Sequence, residues 1–165
     1  MQFSSDTNIW IDFSEIESLH LPFLLNSEFY MCEEAVHDEI LAPPELSEQL
    51  LRLGLQTVTV SDDELMLAVE IGERHRRLSR YDALALATAI KRNFTLLTGD
   101  KQLRKAAEAM GTPYHGTLWI FDQLIDQKVL TEIEYVRLLQ ILLQKNGGVI
   151  RLPEAEIRKR IKNHL

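Results

Sequence analysis

Residues 96–103 read LLTGDKQL. An apolar, strand-like run stops at Thr98-Gly99, and Asp100 stands where a helical pattern begins. The intervening glycine lets the backbone turn sharply between the two. One carboxylate at the mouth of a strand means little by itself. It gains meaning only if other carboxylates occupy equivalent places.

Outward from this junction, short strands alternate with helices. FTLLT at 94–98 reads as a strand, preceded by a helix over RYDALALATAIKRN that Ser79 and Asp82 open as a cap pair. Further back, TVTV at 57–60 is β-branched and strand-like. Ser61 with Glu64 forms a capping box that launches a helix to about Arg77. FSSDTNIWI at 3–11 reads as an N-terminal strand element holding Asp6, and FYMC at 29–32 as a second strand. A helix runs through EEAVHDEIL at 33–41. Pro43-Pro44 ends it, and the next helix, ELSEQLLRLG, closes at Gly54. Downstream of Asp100, KQLRKAAEAMG is a helix closed by Gly111, PYHGT a turn or short strand, and LWIFDQLIDQ a helix. Thr131 and Glu134 cap a long amphipathic helix ending at Asn146-Gly147-Gly148, and a basic segment, PEAEIRKRIKNHL, follows. Strands separated by helices imply parallel pairing and an α/β fold, a three-layer α/β/α sandwich around a mainly parallel sheet. Residues 1–130 form its body. Residues 131–165 form a C-terminal helical extension that packs on the body or on a partner.

The chain has 165 residues, 45% hydrophobic and 26% charged, which suits one ordinary globular domain. Its apolar runs fall far short of the roughly 20 residues that span a bilayer. No basic leader with an apolar stretch opens the sequence. A single cysteine, Cys32, excludes an internal disulfide and a Cys-based zinc site. These features suit a cytoplasmic protein. The net charge of −7 hides an asymmetry: residues 1–73 carry 16 Asp/Glu against Arg52 alone, and residues 74–165 carry 17 Lys/Arg against 9 Asp/Glu. Acidic groups gathered beside a basic surface suit a metal and a phosphate backbone. Solvated helix faces with a basic tail explain the same numbers, and charge alone favours that reading.

Four carboxylates stand out. Asp6 lies in the first strand element, at the sheet edge where ligands collect in parallel folds. Glu39 shares a helix face with Ala35 and Val36. Asp82 occupies the third position after the Ser79 cap, where the helix dipole favours an ionised group. Asp100 follows the strand at 94–98. Singly, each has an innocent explanation as a cap, a turn residue or a solvated charge. Crowded into one cleft, they would repel one another and take up protons unless a cation intervened. Without clustered cysteines or histidines, that cation is a hard, oxygen-seeking one, Mg²⁺ or Mn²⁺. Such an ion activates water and neutralises charge on a phosphodiester during in-line displacement.

SDTNIWIDF, Val36 with Glu39, SRYDALALATAIKRN and LLTGDKQLRKAA occur in the order of a PIN-domain protein. The chain resembles the VapC-type toxins of bacterial toxin–antitoxin pairs, or a close solitary relative. The matching motifs span residues 3 to about 110, and HGTLWIFDQL extends the likeness to about 127. The resemblance implies a PIN-like nuclease domain over 1–130 and a metal-dependent endoribonuclease acting on RNA. It implies that Asp6, Glu39, Asp82 and Asp100 form a catalytic quartet, with Asp6, Asp82 and Asp100 as metal ligands. Thr7 or Asn8, beside the first aspartate, and Thr98, before the last, match supporting positions. A homodimer and a small antitoxin that plugs the site are implied as well. The serines of SSDTN stand where the family has an apolar strand, so a short first strand is expected.

Arg80 and Lys101 are candidate RNA contacts, although cations at helix ends are favourable in any case. Arg74, Arg76 and Arg77 sit near Arg80, and Arg104 and Lys105 follow Lys101. His37 and His115, lacking spaced partners, read as structural or surface residues, and Cys32 as a small core residue. Trp10, Trp119 and Phe121 belong to the core or a dimer contact. The stripe Ile133, Val136, Leu139, Leu142 and Leu143 packs on the domain or a second subunit. The alternative function is a PIN-fold protein without activity that binds RNA or a protein partner.

Overall fold

The computed structural model describes residues 1–38 and 45–165. Among them, five strands form one wholly parallel sheet: β1 (Gln2–Ser5), β2 (Glu28–Cys32), β3 (Gln56–Val58), β4 (Thr95–Leu97) and β5 (Tyr114–His115), in the order β3-β2-β1-β4-β5. The chain leaves β1 toward β2 and β3, then crosses back to add β4 and β5 on the other side. β1 is therefore the centre of the sheet and the point where the strand order reverses. In open parallel sheets, the crevice at the carboxyl ends of the strands flanking such a reversal is where ligands bind. Asp6 follows one of these two strands, and Thr98 through Asp100 follow the other.

Despite its serines, β1 is a central strand of four residues, and among the described strands only β2 is longer. Phe3 pairs with Phe29 on one side and Thr95 on the other, and Ser5 pairs with Leu97. Both serines are buried and bonded. Ser4 Oγ donates to the Ala85 carbonyl at 2.7 Å, and Ser5 Oγ donates to the Tyr30 carbonyl while accepting from Trp10 Nε1. A hydroxyl can sit in a parallel core when its hydrogen-bonding capacity is met there. These bonds also assign the two faces: Ser4 points at helix α5 (Arg80–Arg92), and Phe3 and Ser5 point at Trp119 and Trp10.

The strand expected over 3–11 is corrected after Ser5. Thr7–Glu15 is a helix, α1, and Asp6 is its N-cap rather than a strand residue. Ile9, Trp10 and Phe13 lie at helical spacing and are wholly buried. Trp10 stacks on Phe23 of a 3-10 turn (Leu21–Leu24) and meets Phe29 edge-on. Truncating a buried aromatic of this kind costs about 3–5 kcal/mol.

The remaining helices follow local signals closely. They are α2 (Glu33–Asp38), α3 (Leu46–Leu53), α4 (Asp62–Arg74), α5, α6 (Lys101–Ala109), α7 (Thr117–Asp126), α8 (Glu132–Lys145) and α9 (Glu154–Asn163). Ser61 with Glu64, Ser79 with Asp82 and Thr131 with Glu134 each form a reciprocal capping box. Gly54 ends α3 at φ +127°, a conformation costly for any other residue. α4 stops at Arg74, short of Arg77. The part of the helix expected to continue to Leu41, and the Pro43-Pro44 break, lie outside the described residues.

Helices α4, α5 and α6 pack together on one face of the sheet. On the other, Phe13 of α1 stacks on Phe121 of α7 at 5.2 Å. α8 buries Tyr135, Val136, Leu138, Leu139 and Leu142 against the body, whereas Ile133 is 82% exposed and lies off the packed face. α9 is held by Arg160, whose fork pairs with both oxygens of Asp122 on α7 at 2.8 Å, one of them shared with the Tyr135 hydroxyl. The C-terminal segment thus packs on α7 and α8. No described helix is long and apolar enough to cross a membrane.

Candidate active site

The site is assembled on Thr98, at the end of β4. Its hydroxyl donates to Asp6 Oδ2 at 2.9 Å and accepts the Asp100 N–H at 3.0 Å. Asp6 N–H in turn donates to the Leu97 carbonyl, continuing the β1–β4 ladder one residue past the strand. Asp6 Oδ1 takes the Thr7 N–H, and Asp100 Oδ1 takes the Leu103 N–H at 2.9 Å. Each of these two aspartates caps the helix that follows its strand, because a strand-to-helix turn leaves free N–H groups that a short carboxylate satisfies. Asp6 is nevertheless only 6% exposed, a position that solvated cap residues do not need.

Asp82 comes from the opposite direction, at the start of α5. Ser79 N–H donates to its Oδ2 at 3.0 Å. Burial, with help from the negative charge of Asp100, pushes its pKa up against the lowering effect of the Ser79 bonds. That influence ties Asp82 to Asp100 across the sheet edge. A water-sized cavity lined by Asp6, Thr7, Cys32, Ala35, Tyr81 and Ala85 brings β1, α1, α2 and the first turn of α5 to the same place. Two further ties hold α2 to α5: Arg80 makes a forked pair with Glu34 at 3.0 and 3.2 Å, and the Tyr81 hydroxyl donates to Asp38 at 2.7 Å.

Of the expected site residues, Asp6, Asp100 and Thr98 are thus directly linked, and Asp82 is coupled to Asp100 electrostatically. Glu39 lies outside the described residues. Thr7 is buried beside Asp6, and Asn8 is exposed. Lys101 is exposed at the first position of α6. Arg80 is already engaged with Glu34, so any contact with RNA would compete with that exposed pair, whose own worth is small. His115, at the end of β5, stacks face to face on Trp119 at 4.0 Å. Burial first, and the Arg104 charge second, lower its pKa. Cys32 is buried, and so is Trp10.

The donor set fits a hard cation in kind. Among the described residues, Asp82 Oδ1 and Asp100 Oδ2 accept no hydrogen bond, so both caps leave an oxygen available. In arrangement the fit is partial: no three His, Cys, Asp or Glu side chains among the described residues form a ready-made metal-binding group. Sequence reasoning singled out the acids but missed the buried Asp12. Its Oδ2 accepts from the Thr117 hydroxyl at 2.7 Å, and burial pushes its pKa up to about 6. Only the apolar flanks of Asp12, Ile11 and Phe13, hint at its burial.

Neither a curated protein nor a solved structure matches the chain significantly. The family model DUF3368, described as a PIN domain, matches residues 2–164, nearly the whole sequence. PIN domains are in general nucleases, and the parallel five-stranded sheet with helices on both faces is their three-layer fold. The chain belongs to this PIN-domain family.

Proposed function

We propose that the protein is a Mg²⁺- or Mn²⁺-dependent endoribonuclease that hydrolyses RNA phosphodiester bonds, as the toxin of a toxin–antitoxin pair. The observation that carries the reading is the Thr98 hydroxyl, which bonds Asp6 and the Asp100 backbone at once, at the strand-order reversal. Asp6, Asp82 and Asp100 would hold the ion, and together with Glu39 the quartet would orient the attacking water. When bound, the ion lowers the pKa of a water and neutralises charge gathering on the phosphate. Thr98 keeps the Asp6 carboxylate aimed, and the α1 and α6 N-termini fix the rotamers of Asp6 and Asp100. Lys101 offers a charge to the RNA backbone beside Asp100.

A small antitoxin and a second copy of the chain are the proposed protein partners. Leu65, Met66 and Val69 on α4 support them, since they leave an apolar row exposed beside a groove reaching Leu78 and Ala83. The test is cleavage of a labelled oligoribonucleotide with Mg²⁺ or Mn²⁺. Wild type should cleave, EDTA should abolish cleavage, and Asp100→Asn should lose about a hundredfold or more, exceeding the usual effect of residues that only support a metal ligand. Cleavage that survives both treatments contradicts the reading. A second reading, a PIN-fold protein that binds RNA or a protein without cutting, draws on the absence of a ready-made metal-binding group among the described residues. Metal-independent binding without turnover would favour it.

A further inference from the structure

Arg104 sits one helical turn after Asp100, on the side of the site formed by β5. Its Nε–H donates to the Thr98 carbonyl at 2.9 Å, so the residue that aims Asp6 also anchors this guanidinium. The guanidinium carbon lies 5.2 Å from the centre of the Tyr114 ring, within cation–π range. Gly116 makes room for it. A Cβ there would stand 2.2 Å from Nη2 and 3.5 Å from Cζ, although the backbone at Gly116 (φ −126°) suits any residue. The guanidinium occupies the space that the missing side chain leaves, and a methyl there would displace its end. Contacts from two chain segments, Thr98 after β4 and Tyr114 through Gly116 at β5, therefore seat the fork.

The fork is seated but not used up. Among the described residues its Nη1 and Nη2 groups have no acceptor, and no carboxylate pairs with the charge. This differs from Arg80, Arg92 and Arg160, each of which is matched by an acidic side chain. A guanidinium held by its Nε, with its terminal N–H groups open, matches two oxygens of a phosphate. Pre-ordering such a side chain reduces the entropy lost when it binds.

We propose that Arg104 is a phosphate-binding residue of this site, gripping the RNA backbone on the β5 side of Asp100; it rests on the nuclease reading for the choice of RNA as ligand. Thr98 then serves both halves of the site, its hydroxyl aligning the acids and its carbonyl aligning the cation.

The test is fluorescence anisotropy of a labelled single-stranded oligoribonucleotide with the full chain in EDTA, which prevents cleavage, over a series of salt concentrations. Arg104→Gln should weaken binding on the order of tenfold, the loss of one charge-assisted contact. It should also reduce the slope of log K against log salt by about 0.7, one phosphate's worth for a single strand. Gly116→Ala, which keeps the charge but blocks its seat, should weaken binding with Arg104 intact. Unchanged binding in Arg104→Gln overturns the proposal. So does weakened binding with an unchanged salt slope and a lowered melting temperature, which marks a structural role only. Wild-type protein that binds no RNA overturns it too. Wild type that shows this Arg104-dependent binding yet never cleaves with metal removes the nuclease reading and leaves the phosphate contact standing. Cleavage by wild type with unaltered binding in Arg104→Gln does the reverse.

Discussion

Thr98 and Asp6, 92 positions apart, meet through a 2.9 Å hydrogen bond that holds a buried carboxylate at the carboxyl edge of the sheet. Because the same hydroxyl also accepts from Asp100 N–H, one side chain sets the relative placement of two acids. Thr98→Val keeps the shape and removes both bonds. Stability should fall by about 1–3 kcal/mol, as a buried acceptor and a buried donor lose their partner. Cleavage should fall about 10–100-fold, the usual effect of losing a group that orients a metal ligand. Thermal melting and cleavage rates of the purified variant check both. Full activity in Thr98→Val would mean that Asp6 needs no such aim.

Asp82 binds its proton more tightly than an ordinary carboxyl, through burial first and the charge of Asp100 in addition. Asp100→Asn removes that charge and should lower the Asp82 pKa, read from its carboxyl carbon shift by NMR titration. In the proposed nuclease a divalent cation would compete with protons for Asp82, so metal affinity should rise with pH through its titration. A pKa that ignores the Asp100 substitution would separate the two acids.

Asp12 gives a pH dependence of opposite sign to that of a paired carboxylate. Its folded pKa of about 6 lies above the model-compound value of 3.8, so the folded protein holds a proton that the unfolded chain has released. Stability is therefore fully present below about pH 4, declines as pH rises to about 6, and stays at the lower level beyond. A shift of this size corresponds to about 3 kcal/mol. Asp12→Asn, still able to accept from Thr117, should melt higher than wild type at pH 7.5 and lose most of the decline between pH 4 and 6. Parallel melting profiles for the two proteins would contradict the assignment.

Glu64 supplies the other sign. Hydrogen bonds from Arg92, at 2.8 and 2.9 Å, hold its buried carboxyl down to about pKa 2. Its stabilisation is present above about pH 4.5 and lost as pH falls toward 2. Glu64→Gln removes the carboxylate that Arg92 pairs with, leaving it the Thr59 carbonyl and solvent, and should cost about 2 kcal/mol at pH 7, measured by urea unfolding. The difference from wild type should shrink at pH 3, and a loss equal at both pH values would point to packing alone.

What the amino-acid order reveals divides along physical lines. Capping boxes were plain because four consecutive residues contain the whole interaction: Ser61 with Glu64, Ser79 with Asp82, Thr131 with Glu134. The acids stood out because strand-to-helix junctions mark themselves by composition. α1 was hidden, since Ile9-Trp10-Ile11 is a short apolar run that fits a strand as readily as a helix. Ile133 fits the apolar stripe of α8 yet stands in solvent, because packing by α7 and α9 selects the buried face. The Arg160–Asp122 fork and the Arg104 seat on Gly116 join distant segments that no local pattern connects.

Soaking crystals in Mn²⁺ and collecting anomalous diffraction tests most directly whether these acids grip an ion. The expected result is a peak bounded by oxygens of Asp6, Asp82 and Asp100 beside Thr98, absent from Asp100→Asn crystals. A fully occupied peak elsewhere, or none at these carboxylates in wild type, would contradict a metal-dependent nuclease at this site.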